Sequence, residues 1–372
     1  MKQGRVLGII FANVHDDLVA DLTANRSMAS IPFGGRYRLV DFLLSSFVNS
    51  GISKVGVIPK YNYHSLMDHL GSGKAWDLDR KSGGLYILPP YLKPGASANP
   101  GHIESLDSIK SYLSHSKEEY VALCDADVVC NFDLKAMLKK HRETQADITV
   151  AYKRGPLPKS QRDIMSFELD GDSRINKILL SDKAGTECNF SLDIIIMKRQ
   201  LIMDIVSSAI EENHVHLFKD VFQPQVDSLK IYGYEIPDPA WVIDSPESYA
   251  KANFDLLDPK TRSEVFTPDR PVYTKVRDDV PAKYGLNASV SGSLVADGCV
   301  VEGTVKNSIL FRGVKVGAGA VIENCIIMQD NEIGENVNMK YVISDKNVTV
   351  SQGTQLCGAE TQYMLIRKSA KV

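Results

Sequence analysis

A chain of 372 residues, 44% of them hydrophobic, has room for two domains with a core each and the composition of an ordinary globular protein. Its 43 basic and 46 acidic residues leave a net charge of −3 with no long run of one sign, which excludes a nucleic-acid face or a membrane patch built on bulk charge. Any anion must therefore be held by local groups. Six cysteines (Cys124, Cys130, Cys188, Cys299, Cys325 and Cys357) form no CxxC pair, which argues against zinc or thioredoxin-type chemistry and fits a reducing cytoplasm. The first apolar run, Val6–Ala12, stops at Asn13, too short for a secretory signal. No stretch reaches the ~18 apolar residues of a membrane helix.

From residue 1 to about 255 strand-like and helix-like segments alternate. Val6–Ala12 reads as a strand buried on both faces. Leu39–Asn49 carries apolar residues at helical spacing, and Lys54–Ile58 is a second short strand. Tyr63–Leu70 and Ile103–Leu113 read as helices, with Tyr120–Cys124 as a third strand. Asp133 is placed to cap a helix running to His141, and Ile148–Tyr152 follows as a strand. This rhythm predicts a mostly parallel, Rossmann-like sheet with helices on both faces. Ligands of such sheets bind at the carboxyl ends of the strands, where Asn13–Leu18 and Asp125–Asp127 would lie.

From about 287 to 372 the texture changes to short apolar segments punctuated by Gly or Asn. Val316, Ile322 and Met328 are six apart, as are Ile333 and Met339, the period of a left-handed β-helix of hexapeptide turns. The period slips near Val301 and Ile327, and an antiparallel sandwich is the competing fold. Residues 256–286, with Pro259, Pro268, Pro271 and Pro281, read as an extended connector.

The block Pro32-Phe33-Gly34-Gly35-Arg36-Tyr37-Arg38-Leu39-Val40-Asp41-Phe42, with Asn49-Ser50-Gly51-Ile52, Tyr61, His64-Ser65-Leu66, Trp76-Asp77-Leu78-Asp79-Arg80 and Tyr249 with Ala252-Asn253, resembles bacterial glucose-1-phosphate adenylyltransferase (ADP-glucose pyrophosphorylase). The resemblance runs nearly the whole length and is nearest the GlgD-type second subunit. It implies a nucleotidyltransferase domain followed by the β-helix. The family joins ATP to glucose 1-phosphate with release of pyrophosphate, which calls for positive charge on the triphosphate and Mg²⁺ held by carboxylates.

Matched residue by residue, the expected machinery is missing. The phosphate-cradling glycine loop falls on Asn13, Val14, His15, Asp16, Asp17, Leu18 and Val19, without a glycine or an arginine. Asp16 and Asp17 would repel a triphosphate, and the turn is expected to be exposed and acidic. The RAKP segment reads Arg26-Ser27-Met28-Ala29, and the adenine-reading segment Ile58-Pro59-Lys60-Tyr61. The sugar-phosphate lysine has no clear counterpart; Lys177 and Lys183 are the nearest. Asp127 matches the catalytic aspartate and is read as vestigial. The second metal carboxylate falls on Val242, with Asp244 two residues on. Asp127 and Asp244 are weak metal candidates, and no metal is expected here. None of the eight histidines lies beyond His216, so the β-helix lacks the base of a hexapeptide acyltransferase.

The resemblance therefore implies a regulatory, catalytically degenerate subunit. It would need no cofactor of its own and would enhance a catalytic homologue that uses Mg²⁺, in a heterotetramer. Arg26, Arg36 and Arg38 are the candidate residues for a phosphorylated-sugar effector. Three rivals stay open: an active nucleotidyltransferase, a glycosyltransferase using Asp125-Ala126-Asp127, and a sugar-phosphate-sensing binding module.

Overall fold

The computed structural model describes residues 5–13, 15–89, 101–160, 162–181 and 183–372. The N-terminal lobe is built on a nine-stranded sheet. Its parallel half runs Gly84–Ile87, Lys54–Ile58, Val6–Phe11, Tyr120–Asp125. Beyond Tyr120–Asp125 the long strand Glu187–Lys198 joins antiparallel and carries Ile148–Pro156 and Ile164–Leu169 in turn. The apolar runs form the central strands because both faces are covered; Leu7, Ile9 and Ile10 have no exposed surface. Helix Leu39–Asn49 lies so close to the first strand that a Cβ on Gly8 would meet the Phe47 ring at 2.6 Å. Asp133 caps the helix Leu134–Glu143 by accepting from the backbone N–H of Lys135 and Ala136. The segment expected as one helix over 103–113 breaks at Ile109 into His102–Ser108 and Lys110–His115.

The C-terminal lobe is a left-handed β-helix of three five-stranded parallel sheets. Every ladder is parallel, which removes the sandwich alternative. Lys315 pairs with Glu332 and Glu332 with Thr349, so a coil is one residue short of three hexapeptides. Val300 pairs with Lys315, a shorter coil still. These short coils explain the slips in the six-residue period. The connector is not extended throughout. Asp258 caps a helix at Pro259–Val265, and Lys283–Tyr284 already pairs with the β-helix. Side-chain amides stitch the rest to the sheet lobe: Asn131 donates to the carbonyls of Val265 and Arg270, and Asn49 to that of Pro271.

The two lobes share a core. Phe33, Phe42 and Tyr249 pack in one cluster with Ile309, Phe311, Ile326 and Met328 of the β-helix. The strongest sequence block forms the hairpin Pro32–Phe33/Tyr37–Arg38, whose turn holds Gly34 and Gly35 at φ of 59° and 84°, a region that favours glycine. A second sequence motif clamps it: the Tyr249 hydroxyl donates to the Pro32 carbonyl at 2.7 Å, and the Asn253 side-chain oxygen accepts from the Gly34 N–H at 2.9 Å. Arg26 adds a buried strut, 2.6 Å from Asp345 of the β-helix. No helix among the described residues is long and apolar enough to cross a membrane.

Candidate functional site, a self-occupied cleft

Strand register assembles the cleft. Phe11 lies beside Asp125, so the loop after the first strand and the turn after the Tyr120–Asp125 strand share one end of the sheet. Asp125 accepts from His102 Nε2 at 2.9 Å to either carboxylate oxygen, and the edge of the His102 ring abuts Phe11. Burial alone would hold the His102 pKa down and the Asp125 pKa up. Their mutual attraction outweighs it, so His102 is raised and Asp125 lowered.

Asp127 follows on the same turn. Its carbonyl accepts from the Ile243 N–H at 2.7 Å; the residue is 1% exposed, and its carboxylate has no hydrogen-bond donor among the described residues. The charged group facing it is Arg162, whose Nη2 lies 3.4 Å from Asp127 Oδ2. Arg162 Nη1 donates to Asp193 Oδ2 and to His15 Nε2, each at 2.8 Å. Burial, opposed by Arg162, pushes the Asp127 carboxyl up to about 7. Burial and then the Arg162 charge push His15 down to about 3, so its ring is neutral and accepts from the guanidinium.

Neither Arg162 nor Asp193 was found by sequence reasoning. Asp193 sits at an irregularity of the Glu187–Lys198 strand, with φ of 50°. The Ser191 hydroxyl holds it by bonding its side chain and its N–H. An aspartate tolerates such a left-handed residue, and a bulge re-aims its side chain. No local sequence pattern marks it.

The expected exposed acidic turn is corrected: Asp17 is exposed, but Asp16 is only 2% exposed. Asp16 accepts from the Met28 N–H at 2.9 Å and from the Asn13 amide, and burial raises its pKa to about 6. Asn13 in turn donates to the Tyr61 carbonyl and accepts from the Lys60 N–H. Side chains thus close the loop where a glycine loop would present open backbone. Val14 lies outside the described residues.

Mg²⁺ does not fit the remaining carboxylates. Asp244 is not on a strand, as expected, but follows Ala240–Val242 and precedes the helix Pro246–Asp255. The Ser160 hydroxyl donates to it, and the Ser248 hydroxyl lies 3.1 Å from its other oxygen. Its charge reaches Asp127 and adds to the upward push there. Among the described residues no three His, Cys, Asp or Glu side chains converge in a way that could hold a metal ion. Lys177 lies on an outer strand, exposed and paired with Glu168, and does not join the cleft.

The three candidate arginines separate. Arg26 is the interlobe strut, buried against Asp345, and is not among the residues that line the cleft between the lobes. Arg36 and Arg38 line a second cleft of about 290 Å³ between the lobes with Lys275, Arg277, Arg312 and Lys346. Asp68 and Asp330 are the acids there. Arg312 is 4% exposed; its Nε and Nη2 lack a hydrogen-bond partner among the described residues, and Asp279 Oδ2 lies 3.8 Å from Nε. Burial, then the charges of Arg38 and Arg26, lower the Lys346 pKa to about 7.

A nucleotidyl transferase family model matches residues 17–162, and a GlmU-like C-terminal hexapeptide model matches 279–363. The chain is 37% identical over 369 residues to the glycogen biosynthesis protein GlgD of Bacillus subtilis (strain 168), across 99% of this chain and 97% of that protein. It is 38% identical over 320 residues to GlgD of Geobacillus stearothermophilus, across 86% and 83%. With the glucose-1-phosphate adenylyltransferase of Clostridium novyi (strain NT) it shares 30% over 326 residues, across 87% and 85%. With identity this extensive and both lobes matched in order, the chain belongs to the family of GlgD glycogen biosynthesis proteins and, with them, to the wider glucose-1-phosphate adenylyltransferase family.

Proposed function

We propose that this chain acts in glycogen biosynthesis as a regulatory, catalytically degenerate subunit of ADP-glucose pyrophosphorylase. It enhances a catalytic homologue that converts ATP and glucose 1-phosphate to ADP-glucose and pyrophosphate. The two form a cytoplasmic hetero-oligomer, a heterotetramer in the simplest arrangement. This chain requires no cofactor; Mg²⁺ serves the catalytic partner. The observation that carries the reading is the cluster at the strand ends, in which Arg162 pairs with Asp127, Asp193 and His15. Enhancement needs only a difference in binding: a partner that prefers the active conformation shifts the population towards it, and a tenfold shift takes ~1.4 kcal/mol. The names of the GlgD relatives support the glycogen role.

A second reading, a sugar-phosphate-sensing module, rests on the interlobe cleft and combines with the first. Arg36, Arg38, Arg312 and Lys346 offer a concentrated positive charge that a phosphorylated sugar would neutralise. An active nucleotidyltransferase is disfavoured by the closed loop at Asn13 and Asp16. Pyrophosphate release from ATP plus glucose 1-phosphate tests the proposal, run with this chain, with a catalytic homologue, and with both. Silence from this chain and a changed rate or substrate affinity in the mixture are expected. Turnover by this chain alone overturns it.

A further inference from the structure

We propose that the Arg162 guanidinium is a built-in replacement for a divalent cation: it occupies the space between Asp127 and Asp193 and keeps metal ions out of the cleft. Arg162 comes from the loop before the Ile164–Leu169 strand and reaches the strand ends with 11% of its side chain exposed. Three groups from three separate elements converge on it. Asp193 Oδ2 and His15 Nε2 each lie 2.8 Å from Nη1, and Asp127 Oδ2 lies 3.4 Å from Nη2. A guanidinium is permanently charged and planar, so it can face two carboxylates and an imidazole at once.

The other members of the cluster leave a metal little to bind. Asp125 is engaged by His102, Asp193 by Ser191 as well as Arg162, and Asp244 by the Ser160 and Ser248 hydroxyls. Asp127 alone retains carboxylate oxygens without a hydrogen-bond donor among the described residues. One carboxylate is a poor Mg²⁺ site, because the ion keeps its octahedral water unless several oxygens replace it. A second cation placed at Asp127 would also stand beside the guanidinium in a water-poor cleft, where like charges repel strongly. Substituting Arg162 by a neutral residue removes that repulsion and releases Asp193 to turn towards Asp127.

The inference concerns the same cleft as the subunit reading, but its test uses no turnover, so either can fail without the other. Mn²⁺ is the probe, titrated with the purified full chain and followed by electron paramagnetic resonance of the free ion. The native chain is expected to leave Mn²⁺ free into the millimolar range, with no change in Asp127→Asn. Arg162→Ala is expected to gain one saturable site at least tenfold tighter, lost again when Asp127→Asn is added. Arg162→Lys, which keeps the charge, is expected to gain none. Mn²⁺ binding by the native chain that Asp127→Asn abolishes overturns the proposal, and this comparison stands even if Arg162→Ala does not fold. A folded Arg162→Ala chain, verified by circular dichroism, that binds Mn²⁺ no better than the native chain overturns it as well.

Discussion

In the cleft at the strand ends, Asp125 meets His102, and Asp127 and Asp193 meet Arg162; in the cleft between the lobes, Arg36, Arg38, Lys275, Arg277, Arg312 and Lys346 face Asp68 and Asp330. The first matches its charges from within the chain. The second concentrates charge of one sign, six basic side chains against two acids, with Asp279 3.8 Å from Arg312 Nε. Buried charge is tolerated best when paired, so the first cluster offsets its charge internally, while the excess of one sign in the second would be offset by an anion.

The most damaging change should be to the strut beneath the interlobe cleft. Arg26→Met leaves Asp345 buried and unpaired, and breaking such a pair costs roughly 3–5 kcal/mol. Denaturant unfolding is expected to show that loss, and a loss under ~1 kcal/mol would mean that the lobes are held by their shared apolar core alone. Next comes pH. The Asp127 carboxyl stands at about 7 in the folded chain against an ordinary 3.8, with burial the leading cause. Between those values the folded chain holds a proton that the unfolded chain has released, so this group's contribution to stability falls as pH rises through the window. Asp127→Asn cannot lose that proton. Relative to the native chain it is expected to be stabler at pH 8 than at pH 5, by at most about 3 kcal/mol, since about two units of the shift lie inside that interval. An equal difference at both pH values would contradict the assignment.

A smaller effect is expected in the second cleft. Arg312→Ala should weaken binding of a sugar phosphate by about 1.5–3 kcal/mol, the contribution of one charged hydrogen bond. Lys346, lowered to about 7, is largely neutral at pH 8 and should take up a proton as the anion binds. Calorimetry in buffers of different ionisation heat reads both effects. Unchanged affinity in Arg312→Ala would remove the cleft from consideration. The smallest effect is that of Lys177→Ala, which disturbs an exposed pair with Glu168 and should change stability by no more than about 0.5 kcal/mol.

Much of the fold was legible because its signals are local. The run Val6–Ala12 and the spacing of Val316, Ile322 and Met328 each follow from the burial demands of one element. Asp127 was legible from its motif. Arg162 and Asp193 were not, since their meeting depends on a loop and on a bulged residue with positive φ, neither of which leaves a periodic trace. Asp16 was misread for the same reason: its inward turn depends on the Met28 N–H and the Asn13 amide. The pairing of Arg26 leaves no local trace, since its partner, Asp345, lies 319 positions away. Gly34 and Gly35 were legible as family residues, while their work in a hairpin docked between the lobes became visible only in three dimensions.

We propose that this chain modulates a catalyst and does not itself catalyse. Pyrophosphate release from ATP plus glucose 1-phosphate addresses it most directly, measured for this chain, for a catalytic homologue and for the two mixed. No release above background is expected from this chain, and the rate or substrate affinity in the mixture is expected to differ from the homologue's own. Release by this chain alone, lost in Asp127→Asn, would contradict it and return the self-occupied cleft to the status of an active site.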